Sequence, residues 1–91
     1  MSQLYCISND QGLCKFGYSK DPVGRLRALQ TGSADPLFLV ETVAVPVEGS
    51  ARQFERSLHS EFAHRRVRGE WFRCSAEEGA RFLQWFEIRY L

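Results

Sequence analysis

Gln3-Leu4-Tyr5-Cys6-Ile7-Ser8, then Asn9-Asp10-Gln11-Gly12, then Leu13-Cys14-Lys15-Phe16-Gly17-Tyr18 is the stretch that decides the fold. The first six residues are apolar-rich and too short for a stable helix. The next four are turn formers, since Asn and Asp bond back to nearby backbone and Gly accepts unusual angles. The third run is again short and apolar. Together they predict a β-hairpin.

Working outward, Asp21-Pro22 opens a helix, with Asp as cap and Pro at the first helical position. Val23, Leu26 and Leu29 recur on one face through about residue 30, and Thr31-Gly32-Ser33 ends it. After Pro36, Leu37-Phe38-Leu39-Val40 continues through Val43 and Val45, a run expected to form a central strand buried on both sides. Pro46 to Gly49 breaks the chain. Ser50 and Gln53 fit a capping box, and Ala51, Phe54, Leu58 and Phe62 mark one face of a second helix. Arg65 to Gly69 reads as a basic loop, and Trp71-Phe72-Arg73 as a short extended piece. Ser75 with Glu78 is a second capping box, opening a helix with Ala80, Leu83, Phe86 and Tyr90 on one face. The expected order is β-β-α-β-α-(β)-α. This is an α+β domain in which a short mixed sheet, hairpin plus central third strand, is flanked by helices.

The totals agree with one small domain spanning residues 1–91. Hydrophobic residues are 44% and aromatics 13%, which excludes a disordered chain. The formal net charge is only +1, so any nucleic-acid affinity must come from a local patch. Cys6, Cys14 and Cys74 lack zinc-site spacing and are odd in number, which points to reduced thiols in a cytoplasmic protein. The N-terminus has no basic region and no long apolar run, so neither a signal peptide nor a membrane partner is expected.

Several motifs in order resemble the GIY-YIG nuclease superfamily. Leu4-Tyr5-Cys6-Ile7 stands where that family has its first motif, and Lys15-Phe16-Gly17 where it has its second. Tyr18 to Leu26 is similar to the approach to its first helix. Phe54-Glu55-Arg56-Ser57-Leu58-His59 looks like its glutamate helix, and Gly69-Glu70-Trp71-Phe72 like the ending of its short phage and bacterial branch. The resemblance spans roughly residues 3 to 73. It implies a metal-dependent DNA endonuclease using Mg²⁺ or Mn²⁺. Tyr5 would stand near the scissile phosphate, Arg25 would stabilise its charge, Glu55 would bind the metal, and Gly17 would allow close backbone approach. The sequence departs from the pattern at Gln3 and Leu4, at Lys15 (a tyrosine in the family), and in having Asn9 as its only asparagine.

The residues themselves support part of this chemistry. Phosphodiester hydrolysis needs an oxygen nucleophile, a cation at the nonbridging oxygens and a metal or acid for the leaving group. Arg25 offers a bidentate fork, and Glu55 a carboxylate for a hard cation. Lys15 is a candidate for the missing tyrosine's place. Glu55 and His59 are one helical turn apart, about 6 Å along the axis, and His59 is a candidate for proton transfer. Lys20, Arg27, Arg65, Arg66 and Arg68 are the candidate patch for the backbone of DNA or RNA, with Trp71 as a stacking surface. Glu70 is expected to anchor the basic loop through Arg66 or Arg68. The last helix carries more aromatics than one face can hide, so either it wraps closely or the excess face serves a homodimer or partner surface. The alternative is a catalytically silent nucleic-acid- or protein-binding module, such as a phage interaction protein.

Overall fold

In the computed structural model, which describes residues 1–47 and 49–91, Gln3–Asn9 (β1) and Leu13–Ser19 (β2) form the antiparallel hairpin. The Asn9 side-chain oxygen accepts from the backbone N–H of Gln11 and Leu13, which closes the turn. Helix α1 (Pro22–Thr31) begins as expected, with the Asp21 carboxylate accepting from Gly24 N–H at 3.1 Å. Strand β3 is Leu37–Ala44, helix α2 is Ala51–Glu61, and helix α3 is Ala76–Tyr90.

The α+β class holds, but the sheet differs in three ways. It has five strands, in the order β3-β1-β2-β5-β4, and every neighbouring pair is antiparallel rather than mixed. α1 carries the chain from β2 across β1, so β2 and β3 run in the same direction without touching. Second, β3 is an edge strand, with Phe38 53% exposed. β1 lies inside the sheet instead, between β3 and β2, and its Leu4, Tyr5, Cys6 and Ile7 are fully buried. Third, the basic stretch is a small hairpin, not a loop. A turn of 3-10 helix (Ala63–Arg65) leads into β4 (Arg66–Arg68), and Gly69-Glu70 turns into β5 (Trp71–Arg73). Gly69 takes φ +56, a left-handed angle that suits glycine.

The expected capping box at Ser50 is absent. Its backbone is already helical, and its hydroxyl donates back to the Val47 carbonyl at 2.6 Å. The box at Ser75 and Glu78 is complete in both directions.

Alternation along β1 sends side chains to two cores. Leu4 and Cys6 join Cys14, Phe16, Leu58 and Phe86 under α2 and α3. Tyr5 and Ile7 join Leu37, with Leu26 and Leu29 of α1 and Trp71 packed against them. α3 can lie close over the first core because Gly79 faces two thiols. A Cβ there would stand 2.6 Å from Cys6 Sγ and 2.8 Å from Cys14 Sγ. All three cysteines are buried and free. The neighbouring Cys6 thiol, together with burial, pushes Cys14 up to about 12, and its bond to Cys14 likewise raises Cys74. Thiolate, not thiol, is the reactive form. Native protein should therefore react with a thiol reagent far more slowly than protein unfolded in guanidinium. Rapid labelling of native Cys14 would contradict this packing.

Candidate functional site

β5 pairs with β2 only as far as Lys15 opposite Trp71. Just beyond, Phe16 N–H donates to the Glu70 carbonyl at 3.2 Å. The Phe16 carbonyl meets His59 Nε2 at 2.7 Å. A carbonyl only accepts, so Nε2 carries the hydrogen and the lone pair of a neutral His59 ring lies on Nδ1. α2 is thereby tied to the strand at the point where β5 leaves it.

This junction gathers the polar groups. Glu55, His59 and Glu70 each present a ligand atom, all within 4.8 Å of one another. Lys15 Nζ stands 2.9 Å from Glu70 Oε2 and 5.8 Å from the centre of the Trp71 ring. Burial, then the Glu70 charge, push the Glu55 carboxyl up to about 7, against the lowering influence of Lys15 and Arg25. Arg25, exposed on α1, is thus close enough for its charge to reach both Glu55 and Tyr5. Burial raises Tyr5 despite the nearby Arg25 guanidinium. Its hydroxyl is fully buried with no hydrogen-bond partner among the described residues. Opposite it across the hairpin is Gly17, where a Cβ would collide with the Tyr5 hydroxyl and come within 2.6 Å of Cζ.

Tyr5, Lys15, Arg25, Glu55 and His59 are therefore gathered in one place, from two strands and two helices. Glu70 joins them, paired with Lys15 rather than with Arg66 or Arg68. The turn at Gly69 aims it inward, which its position beside a basic run did not suggest. The donor set of two carboxylates and an imidazole, with Glu55 straining against a like charge, suits a hard divalent cation.

The other candidates are spread around this centre. Lys20 and Arg27 are exposed at and on α1. Arg65 is engaged elsewhere, donating to Glu78 in the first turn of α3 at 3.0 Å and lying over Phe82 one turn further on. Arg66 lies over Phe72 at 5.4 Å and lines a cavity of about 290 Å³ with Arg56 and His59. In the sequence Arg56 is one more charge on a helix, with no spacing that singles it out. Arg68 and Trp71 line a second groove on the α1 side. Trp85, Ile88 and Tyr90 are exposed on α3, and Tyr90 donates to Glu61. No described helix is long and apolar enough to cross a membrane.

The raised carboxyl gives a pH-dependent cost. The folded chain holds the Glu55 proton more tightly than the unfolded chain does. Stability contributed by this group therefore falls as pH rises from the usual carboxylate range through about 7. Glu55→Gln, which mimics the protonated form, should raise the melting temperature at pH 8 and change it little at pH 4. An equal shift at both values would assign the effect to something other than ionisation.

A small antiparallel α+β fold carries this cationic and carboxylate cluster, and its family match makes it a nuclease-like or DNA-binding module of phage-associated type. The chain belongs to the T5orf172 domain family, whose model matches residues 3–87. This corrects the resemblance to GIY-YIG nucleases, which is a different domain family. The motifs that suggested it are short and individually common, and the match over nearly the whole chain outweighs them. No curated protein and no solved structure matches the chain.

Proposed function

We propose that this domain hydrolyses phosphodiester bonds in DNA with the help of a divalent cation, Mg²⁺ or Mn²⁺. The observation that carries the reading is the Glu55, His59 and Glu70 cluster, whose ligand atoms lie within 4.8 Å of one another, beside Arg25 and the unpartnered Tyr5 hydroxyl. Glu55 and Glu70 would hold the cation, with the His59 ring beside them as a third donor or as proton acceptor. The bound cation would polarise a phosphoryl oxygen and acidify water. Arg25 neutralises charge on the nonbridging oxygens through its fork. The Tyr5 hydroxyl, buried next to Arg25 and without a hydrogen-bond partner among the described residues, would bond the phosphate or the attacking water only where the site opens to admit them. Water oxygen bonds to phosphorus as the ester P–O bond breaks, and a proton from water passes to His59 or bulk solvent. The departing oxygen takes a proton in turn. Lys15 balances Glu70 as an ion pair. Because Glu55 rises to about 7, proton and cation compete for it near neutrality.

Nicking of supercoiled plasmid is the test. Wild type with Mg²⁺ or Mn²⁺ should convert supercoiled to open circle, and EDTA should stop it. Mn²⁺ should also raise the melting temperature of wild type and not of Glu55→Gln. One observation favours a second reading, a silent DNA-binding module: Lys15 already neutralises Glu70 at 2.9 Å, which weakens the pull on a cation. DNA binding without nicking under every divalent metal, and without a thermal shift, would select that reading.

A further inference from the structure

The groove on the α1 side of the sheet has a different character from the carboxylate cluster beside it. It has a volume of about 280 Å³, with Leu13, Leu37, Val67 and Trp71 as apolar walls and Asp35 and Arg68 at its margins. Trp71 is half-buried, packed against the Tyr5 and Ile7 core, and so is held in place. Lys15 lies 5.8 Å from its ring centre and bonds Glu70 in the cluster. The indole is thus one side chain away from the proposed phosphate position. Asp35 and Arg68 form no ion pair with each other or with another described residue. Opposite charges left unpaired at an apolar slot can serve a ligand with both donors and acceptors.

We infer that this groove holds an unpaired nucleobase next to the phosphate bound at the cluster, so that the domain's preferred substrate is single-stranded or locally unpaired nucleic acid. A base in a duplex is stacked on both faces and presents only its edges to the grooves. An aromatic wall inside a recess gains contact only with a base that has left the stack. Every nucleobase has a flat π-face for Trp71, and its edge groups include donors for the Asp35 carboxylate and acceptors for Arg68. The weak overall charge of +1 fits the same substrate, since little long-range field is available to grip a duplex along its length. The inference rests on reading the cluster as the phosphate site, but concerns binding and not cleavage.

Binding is therefore measured apart from cleavage, with Ca²⁺ replacing Mg²⁺. The probes are a short labelled strand of mixed sequence, its duplex, and the same strand with abasic sites. The single strand should bind about 10-fold tighter than the duplex, and Trp71→Ala should remove about 10-fold of that affinity while Trp71→Phe keeps most of it. In a Trp85→Phe background Trp71 is the only indole, as the chain has two Trp. The intact strand should quench its fluorescence and the abasic strand should not, a readout that leaves Trp71 itself unaltered. Duplex binding as tight as single-strand binding, or equal quenching by the abasic strand, would overturn the inference even if plasmid nicking occurs. Strand preference with quenching by bases alone would uphold it even if no nicking is found.

Discussion

Glu55→Ala and Arg25→Ala are each expected to lower plasmid nicking by about 10²-fold or more, the usual scale for removing one electrostatic contact to a transition state. The two losses have different origins. Arg25 is exposed and packs little, so its removal should leave the melting temperature nearly unchanged. Glu55 is half-buried and raised to about 7, so its removal should cost activity while stabilising the fold above neutral pH. That opposition separates a functional carboxylate from a structural one, because a structural group would lose both together. Glu70→Gln supplies the complementary measurement. It removes the nearest like charge, so the Glu55 carboxyl, followed by NMR titration, should move down from about 7. An unchanged Glu55 titration in Glu70→Gln would remove the basis for treating the two as one site.

The second large effect concerns Gly17. Gly17→Val should lower the melting temperature by roughly 10 °C or more, combining an overpacking cost of about 1–3 kcal/mol with about 4–8 °C per kcal/mol for a domain of this size. The Tyr5 ring fills the space where a Cβ would sit, and both residues lie in the fully buried middle of the sheet. Tyr5 cannot yield easily, since Ile7, Leu37 and the α1 side chains surround its core. Tyr5→Phe alone should hold or raise stability, because it removes a buried hydroxyl with no partner. It should not rescue Gly17→Val, as Cζ would still stand 2.6 Å from the new Cβ. Tyr5→Leu should rescue it in part. If Gly17→Val melts like wild type, the Tyr5 ring is not where the structure places it. Tyr5→Phe is also the sharper functional probe: stability held with nicking reduced is the pattern of a polar group kept for chemistry.

Much of this protein is determined by its sequence alone, and the reason in each case is local. The hairpin turn follows from Asn9, whose side chain closes it. The start of α1 follows from Asp21 and Pro22, and the start of α3 from Ser75 and Glu78. Leu58 on α2 and Leu83 and Phe86 on α3 are buried as their apolar spacing implies. Val23 on α1 and Tyr90 on α3, expected on the same apolar faces, are exposed because the helix ends reach past the sheet they cover. The one-turn separation of Glu55 and His59 follows from the helix itself. What only the tertiary structure decided is which strand sits at the centre, and which charges meet. Leu37 to Val45 is the longer apolar run, yet it lies at the edge, because strand position depends on how α1 crosses the hairpin and not on hydrophobicity. Ser50 has the right neighbours for a cap but the wrong backbone angle. Arg65 and Arg66 are adjacent in a basic run, yet one is bound to Glu78 and the other lies over Phe72 beside His59. Glu70 turns from those arginines to Lys15 and Glu55, 55 and 15 residues earlier in the chain, because Gly69 reverses the backbone and β5 begins where α2 covers β2. Local bonding rules fix turns and caps within a few residues, whereas a site built from two helices, a hairpin and a turn exists only once the sheet has set their positions.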